Sequence, residues 1–151
     1  MRKKKIFLAA YVNYINAQNI NCKSIATHLD KDKFKVTTLL VGNKEIPNIN
    51  GVNFITCFKP HRITIPLIML YGILSSDISY LPKHLDVPYW VLRLAKFLKK
   101  NTFTTIEENI CDKSKKNTID AFGSEVKMEK HFDLISNIYG ITQFLIDNTA
   151  C

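Results

Sequence analysis

Three clusters of side chains in this 151-residue chain have the types and spacing to do chemistry. Leu81-Pro82-Lys83-His84-Leu85-Asp86 puts a cation, a titratable imidazole and a carboxylate into four positions. Lys83 and His84 are the groups there that orient a sugar or stabilise a phosphate; the plainer reading is a solvated loop. Tyr11-Val12-Asn13-Tyr14-Ile15-Asn16-Ala17-Gln18-Asn19 follows a first apolar run and leads into a helix. Free amide N–H groups at that helix N-terminus favour an anion, and Asn16, Gln18 and Asn19 add side-chain hydrogen bonds for a phosphate or sugar hydroxyl. Asn16 or Asn19 also suits a simple helix cap. Glu107 and Glu108 are adjacent, so in extended chain they point opposite ways. They are not a two-carboxylate catalytic pair, although one of them suits sugar hydroxyls as an acceptor.

Other chemistries are disfavoured by what the spacing lacks. Cys22, Cys57, Cys111 and Cys151 form no Cys-x-x-Cys pair, and His28, His61, His84 and His131 do not cluster with them, which argues against zinc. The loop at 11–19 has no glycine, whereas a dinucleotide fingerprint needs three, so NAD is not expected and the domain calls for no cofactor of its own.

The elements that must position these residues follow from apolar patterning. Residues 4–10 read as a strand, and Cys22, Ile25, Ala26 and Leu29 fall at i, i+3, i+4 and i+7 of an amphipathic helix. Residues 34–41 and 52–58 are β-branched and aliphatic, with Gly42-Asn43 and Pro47-Asn48-Ile49-Asn50-Gly51 as turn signals between them. Thr64 is the expected cap of a helix with Pro66 in its first turn, running to Leu74 and apolar on nearly every side; such a helix packs on two faces or docks onto something. Then come a strand at 77–81, a helix at 88–100, a strand at 102–106, a polar loop at 107–130, a strand at 131–138 and a helix beginning at 141–147.

Near-continuous apolar strands alternating with helices describe a doubly wound, mainly parallel Rossmann-like sheet of about six strands, with helices on both faces, in a single domain over 1–151. Ligands in that architecture sit at the carboxyl ends of the strands near the reversal of strand order. The loops at 11–19, 82–87 and 107–112 are therefore the informative ones.

Composition narrows the class further. The chain is 46% hydrophobic and 23% charged, which excludes disorder, and its formal charge of +8 is uneven. Residues 1–106 hold 16 of the 21 Lys and Arg and 5 of the 13 acidic residues, so the anion-facing part lies there. The lysines are scattered without an interleaved aromatic platform, which disfavours nucleic acid. The apolar run after Met1-Arg2-Lys3-Lys4-Lys5 is too short for a signal peptide, and the longest one, 63–74, is too short to span a bilayer; a cytoplasmic location, peripheral to the inner face of a membrane at most, is expected. Residues 88–100 combine Tyr89, Trp90, Leu94, Phe97 and Leu98 with Arg93, Lys96 and Lys100. That pattern suits an anionic membrane surface and equally a crossover helix with a basic outer face, and the flanking strands favour the crossover.

The order of segments resembles the opening of GT-B-type glycosyltransferases. Lys23-Ser24-Ile25-Ala26-Thr27-His28-Leu29 followed by Asp32-Lys33-Phe34-Lys35-Val36-Thr37-Thr38-Leu39 looks like the family's first helix and second strand. Asp77-Ile78-Ser79-Tyr80-Leu81, Phe103-Thr104-Thr105-Ile106-Glu107-Glu108 and Phe132-Asp133-Leu134-Ile135-Ser136-Asn137-Ile138 look like three later strands in the same order. The similarity is to the retaining family that includes sucrose synthase and bacterial capsule and lipopolysaccharide transferases. It implies an acceptor-binding N-terminal domain whose loop at 16–19 approaches the donor diphosphate, although the family's glycines are missing there. It places the family's histidines near Lys83 and His84 and at Glu107, where the histidine is replaced.

The resemblance also implies a second Rossmann domain that holds a nucleotide sugar as co-substrate. This chain alone is expected not to transfer sugar, and a donor domain or split partner subunit is its expected partner, with a sugar or lipid-linked acceptor. The expected function is the acceptor side of a glycosyltransferase of surface-polysaccharide assembly. A non-enzymatic α/β module for a phosphorylated ligand or a protein partner is the alternative.

Overall fold

Short runs at Lys4–Tyr11 (β1), Phe34–Val41 (β2), Val52–Cys57 (β3), Ile78–Tyr80 (β4), Asn101–Ile106 (β5) and Asn137–Gly140 (β6) form one sheet. The computed structural model describes residues 2–42, 45–82, 87–106 and 122–140. All neighbouring strands are parallel, in the order β3-β2-β1-β4-β5-β6. Among the described residues the helices are Ala17–His28 (α1), His61–Ser75 (α2), Tyr89–Phe97 (α3) and Glu125–Phe132 (α4). The expected Rossmann-like α/β fold is the observed one.

The central strand explains why both faces are covered. Successive side chains of a strand point to opposite faces. In β1, Ile6, Leu8 and Ala10, continued by Val12, pack with Cys22 and Ala26 of α1, while Phe7 and Ala9 pack with Met69 and Ile73 of α2 and Val91, Leu92 and Ala95 of α3. At Gly72, α2 meets the far end of the Phe7 ring; a Cβ there would be 2.5 Å from Cε1 and Cε2 and nearer still to Cζ. At the amino edge the Asp77 carboxylate accepts from Lys5 N at 2.8 Å, and Asp77 N donates to Lys5 O at 2.9 Å, fixing β4 beside β1.

Several boundaries differ from those expected. α2 begins at His61 because Pro60, with φ −82°, supplies a preset N-cap; Thr64 lies inside the helix, where its Oγ1 donates to Phe58 O, and Pro66 falls in the second turn. α3 ends at Phe97, and Lys99 with φ 51° turns the chain toward β5. The larger correction concerns 122–140. Part of the stretch read as loop, together with the start of the expected strand at 131–138, is α4, and β6 occupies only Asn137–Gly140. Ser124 caps α4 by accepting from Lys127 N, and Met128, His131 and Phe132 form its buried stripe at i, i+3 and i+4. The cap and the helical spacing outweigh the β-propensity of the apolar residues that follow. The helix expected at 141–147 lies outside the described residues.

Candidate functional site

Strand order reverses between β1 and β4, so the ligand edge of this sheet is the carboxyl end of β1, β4 and β5. The β1 end is built around α1. Asn16 is the N-cap, its Oδ1 accepting from Asn19 N at 2.8 Å. Capping is thus the role in which the structure places Asn16. Asn19 accepts in turn from Tyr11 N at 3.0 Å through its Oδ1, and so ties the helix to the end of β1. Asn13 clamps the neighbouring strand end, donating to Val41 O at 3.2 Å and accepting from Val41 N at 2.9 Å.

These bonds leave polar atoms over. Gln18, 3% exposed in the first turn of α1, buries both its amide oxygen and its amide nitrogen with no hydrogen-bond partner. Asn19, also 3% exposed, leaves its Nδ2 unpaired. A buried polar atom without a partner costs about 1–3 kcal/mol. Three such atoms therefore sit at one helix N-terminus, where the backbone amides also favour negative charge. Asn19 lines a cavity of about 840 Å³ bounded by Val12, Asn13, Lys23, Glu45 and Ile49, between α1 and the segment after β2. Gln18 does not line that cavity; its two unpaired atoms and the Asn19 Nδ2 are two donors and one acceptor, the chemistry that pairs with a phosphate or with sugar hydroxyls.

A second cavity, of about 420 Å³, opens between the start of α3 and α4. Val87, Pro88, Tyr89 and Phe122 give it apolar walls, while Lys127, Lys130 and His131 line the rest. His131 is 5% exposed, its Nε2 has no partner, and its ring lies 5.1 Å from that of Phe122. Burial lowers its pKa from 6.5 to about 4, so the imidazole is neutral near pH 7. Nothing in the spacing of the histidines pointed to this residue. The signal that locates it is the Ser124 cap followed by the helical stripe.

Of the sequence candidates, Asn16, Gln18 and Asn19 are brought together in one helical turn. Lys83, His84, Glu107 and Glu108 lie outside the described residues. Lys23 and Glu45, which face the larger cavity, were not singled out by sequence, because a lone surface lysine and glutamate carry no motif.

No protein-family model matches the chain, and no curated protein matches it. Among solved structures it is similar to a Listeria monocytogenes protein named as a UDP-N-acetylglucosamine 2-epimerase, with a TM-score of 0.61 and 14% identity over 99% of this chain. The match covers 42% of that chain, so the present chain spans less than half of its length. At this identity the likeness concerns the fold: a parallel, six-stranded Rossmann-like domain.

Proposed function

We propose that this chain is one Rossmann-like half of a two-domain nucleotide-sugar enzyme of GT-B-like architecture, contributing the acceptor side of the cleft. The finer reading is the acceptor-binding domain of a glycosyltransferase in surface-polysaccharide assembly. The observation that carries the proposal is the group of unpaired buried amide atoms of Gln18 and Asn19 at the N-terminus of α1, on the ligand edge of the sheet. Polar atoms retained there at a cost to stability are accounted for by a ligand that pairs with them. The fold shared with a protein named for a UDP-sugar reaction supports the same reading.

In this proposal α1 and the loop before it hydrogen-bond a phosphate or sugar hydroxyl, and a second domain, in the same or another polypeptide, holds the nucleotide sugar and stabilises the departing diphosphate. Lys83, His84, Glu107 and Glu108, which follow β4 and β5 in sequence, are proposed to contact the acceptor. The test is thermal unfolding of the 151-residue chain with UDP, UDP-N-acetylglucosamine, inorganic phosphate and a panel of oligosaccharides. A ligand at 100 times its Kd adds about 2.7 kcal/mol, a rise of roughly 5–11 °C for a domain of this size. No shift with any nucleotide, sugar nucleotide or saccharide, together with a shift on adding a protein partner, would replace the proposal by a non-enzymatic binding module.

A further inference from the structure

We propose that the outward face of α2 and α3 is a docking surface for an anionic lipid bilayer. This goes beyond the cleft described above and rests on different residues.

Both helices have already met the requirement of the core. α2 buries Met69, Gly72 and Ile73, and α3 buries Val91, Leu92 and Ala95, against the same face of the sheet. A crossover helix that has covered its sheet is expected to be polar on the other side. Here the other side is apolar. Ile63, Leu67, Tyr71 and Leu74, spaced by four, four and three along α2, are all exposed, Tyr71 at 63%. On α3, Trp90 and Phe97 are exposed two turns apart, Phe97 at 79%. The two helices pack against one another, and Lys100 Nζ, donating to Leu74 O at 2.7 Å, ties their carboxyl ends, so both carry their exposed apolar residues on the same side of the sheet.

The two helical segments carry charge of one sign. Lys59, Arg62, Arg93, Lys96, Lys99 and Lys100 lie within or beside the two helices, and residues 58–75 and 87–100 contain no Asp or Glu. Lys96 and Lys100 donate to the backbone carbonyls of Asp133 and Leu74, which holds both cations beside the helices. Protein interfaces are enriched in aromatic residues and Arg and depleted in Lys, whereas four of the six cations here are lysines. Apolar and aromatic side chains level with a ring of cations instead match the two layers of an anionic bilayer: acyl chains for Leu67 and Phe97, the headgroup boundary for Trp90 and Tyr71, and acidic headgroups for the lysines and arginines. The longer helix, at fifteen residues, is too short to cross the bilayer, so the contact lies in the plane of the interface.

Trp90 is the only tryptophan in the chain and reports on the contact directly. The full chain is to be sedimented with sucrose-loaded vesicles of phosphatidylcholine alone or with a quarter phosphatidylglycerol, while Trp90 emission is recorded. The expected result is partition into the anionic vesicles at least tenfold above the neutral ones, weakened by salt, with a blue shift of Trp90. The double variant Leu67→Asp/Phe97→Asp, and separately Arg62→Glu/Arg93→Glu, should each lose at least tenfold in partition with unchanged circular dichroism. Lys23→Glu, on α1 at the opposite face of the sheet, should bind as the parent does. Equal recovery on both vesicle types, an unshifted Trp90, or loss of binding in Lys23→Glu equal to that in the patch variants would overturn the proposal. So would a concentration-dependent dimer abolished by Leu67→Asp/Phe97→Asp, since the occupant would then be a second copy of the chain.

Discussion

Replacing Gly72 by alanine sets two effects of opposite sign against each other. In a helix interior, alanine is favoured over glycine by about 1 kcal/mol, so local propensity alone predicts a more stable protein. The added methyl would stand 2.5 Å from two ring carbons of Phe7, whereas carbon atoms in contact prefer about 3.5–4.0 Å, so α2 or the ring must give by more than ~1 Å. Phe7 is 1% exposed, so its ring can move only by displacing packed neighbours or by entering the small cavity that it lines with Gly72. Overpacking of this kind costs about 1–3 kcal/mol and occasionally more, and an aromatic ring met end-on belongs at the upper limit. The net expectation is a loss of about 2 kcal/mol, which at an m-value of ~2 kcal/mol/M lowers the urea midpoint by roughly 1 M. Phe7→Leu, which removes the far end of the ring, should be destabilising alone yet restore part of the loss in the double variant, a coupling visible in a double-mutant cycle. A stabilised Gly72→Ala, or strict additivity with Phe7→Leu, would refute the packing described for α2.

Two further variants address the polar sites. Gln18→Leu removes two buried unpaired atoms, and should raise stability by about 1–3 kcal/mol while abolishing any thermal shift produced by a nucleotide sugar; a destabilised protein with an intact shift would show that Gln18 is structural. His131→Phe tests a linkage whose sign is set by burial. The folded pKa of about 4 lies below the ordinary 6.5, so the unfolded chain binds the extra proton between these values. His131 therefore leaves stability intact above pH 6.5 and reduces it as pH falls toward 4, with a slope of at most about 1.4 kcal/mol per pH unit. Urea midpoints between pH 4 and 7 should fall less steeply in the variant than in the parent; parallel curves would contradict the buried, neutral imidazole.

Much of the architecture was legible because the central strands are apolar on both faces. Lys4–Tyr11 and Phe34–Val41 could belong only to a covered sheet, and the stripe of Cys22, Ile25, Ala26 and Leu29 fixed the side of α1 that meets it. The site was legible as residue types at α1 but not as roles. Asn16, Gln18 and Asn19 look alike in a loop sequence, and only the fold separates a cap, an unpaired amide and a tether to Tyr11. The segment 122–140 misled because Phe132, Leu134 and Ile135 have the composition of a strand. Phe132 instead ends a helix that depends on Ser124, eight positions earlier, and on a ring cluster of Phe122, His131 and Phe132, while Leu134 and Ile135 lie in the turn between α4 and β6.

The position of β1 also bears on how the chain acquires its structure. β1, α1, β2 and β3 are consecutive and close upon each other locally, whereas the second edge of β1 waits for β4; the bond from Lys5 N to the Asp77 carboxylate spans 72 positions. Loop closure over such a distance is slow relative to the local pairings. During synthesis the first four elements leave the ribosome with an unpaired edge of Ile6, Phe7 and Leu8 facing solvent, and that edge is sealed only when Ile78, Ser79 and Tyr80 emerge. Until then the nascent chain is a sheet with one sticky margin, and it is in this interval, rather than in the finished protein, that aggregation and chaperone dependence are expected to be greatest.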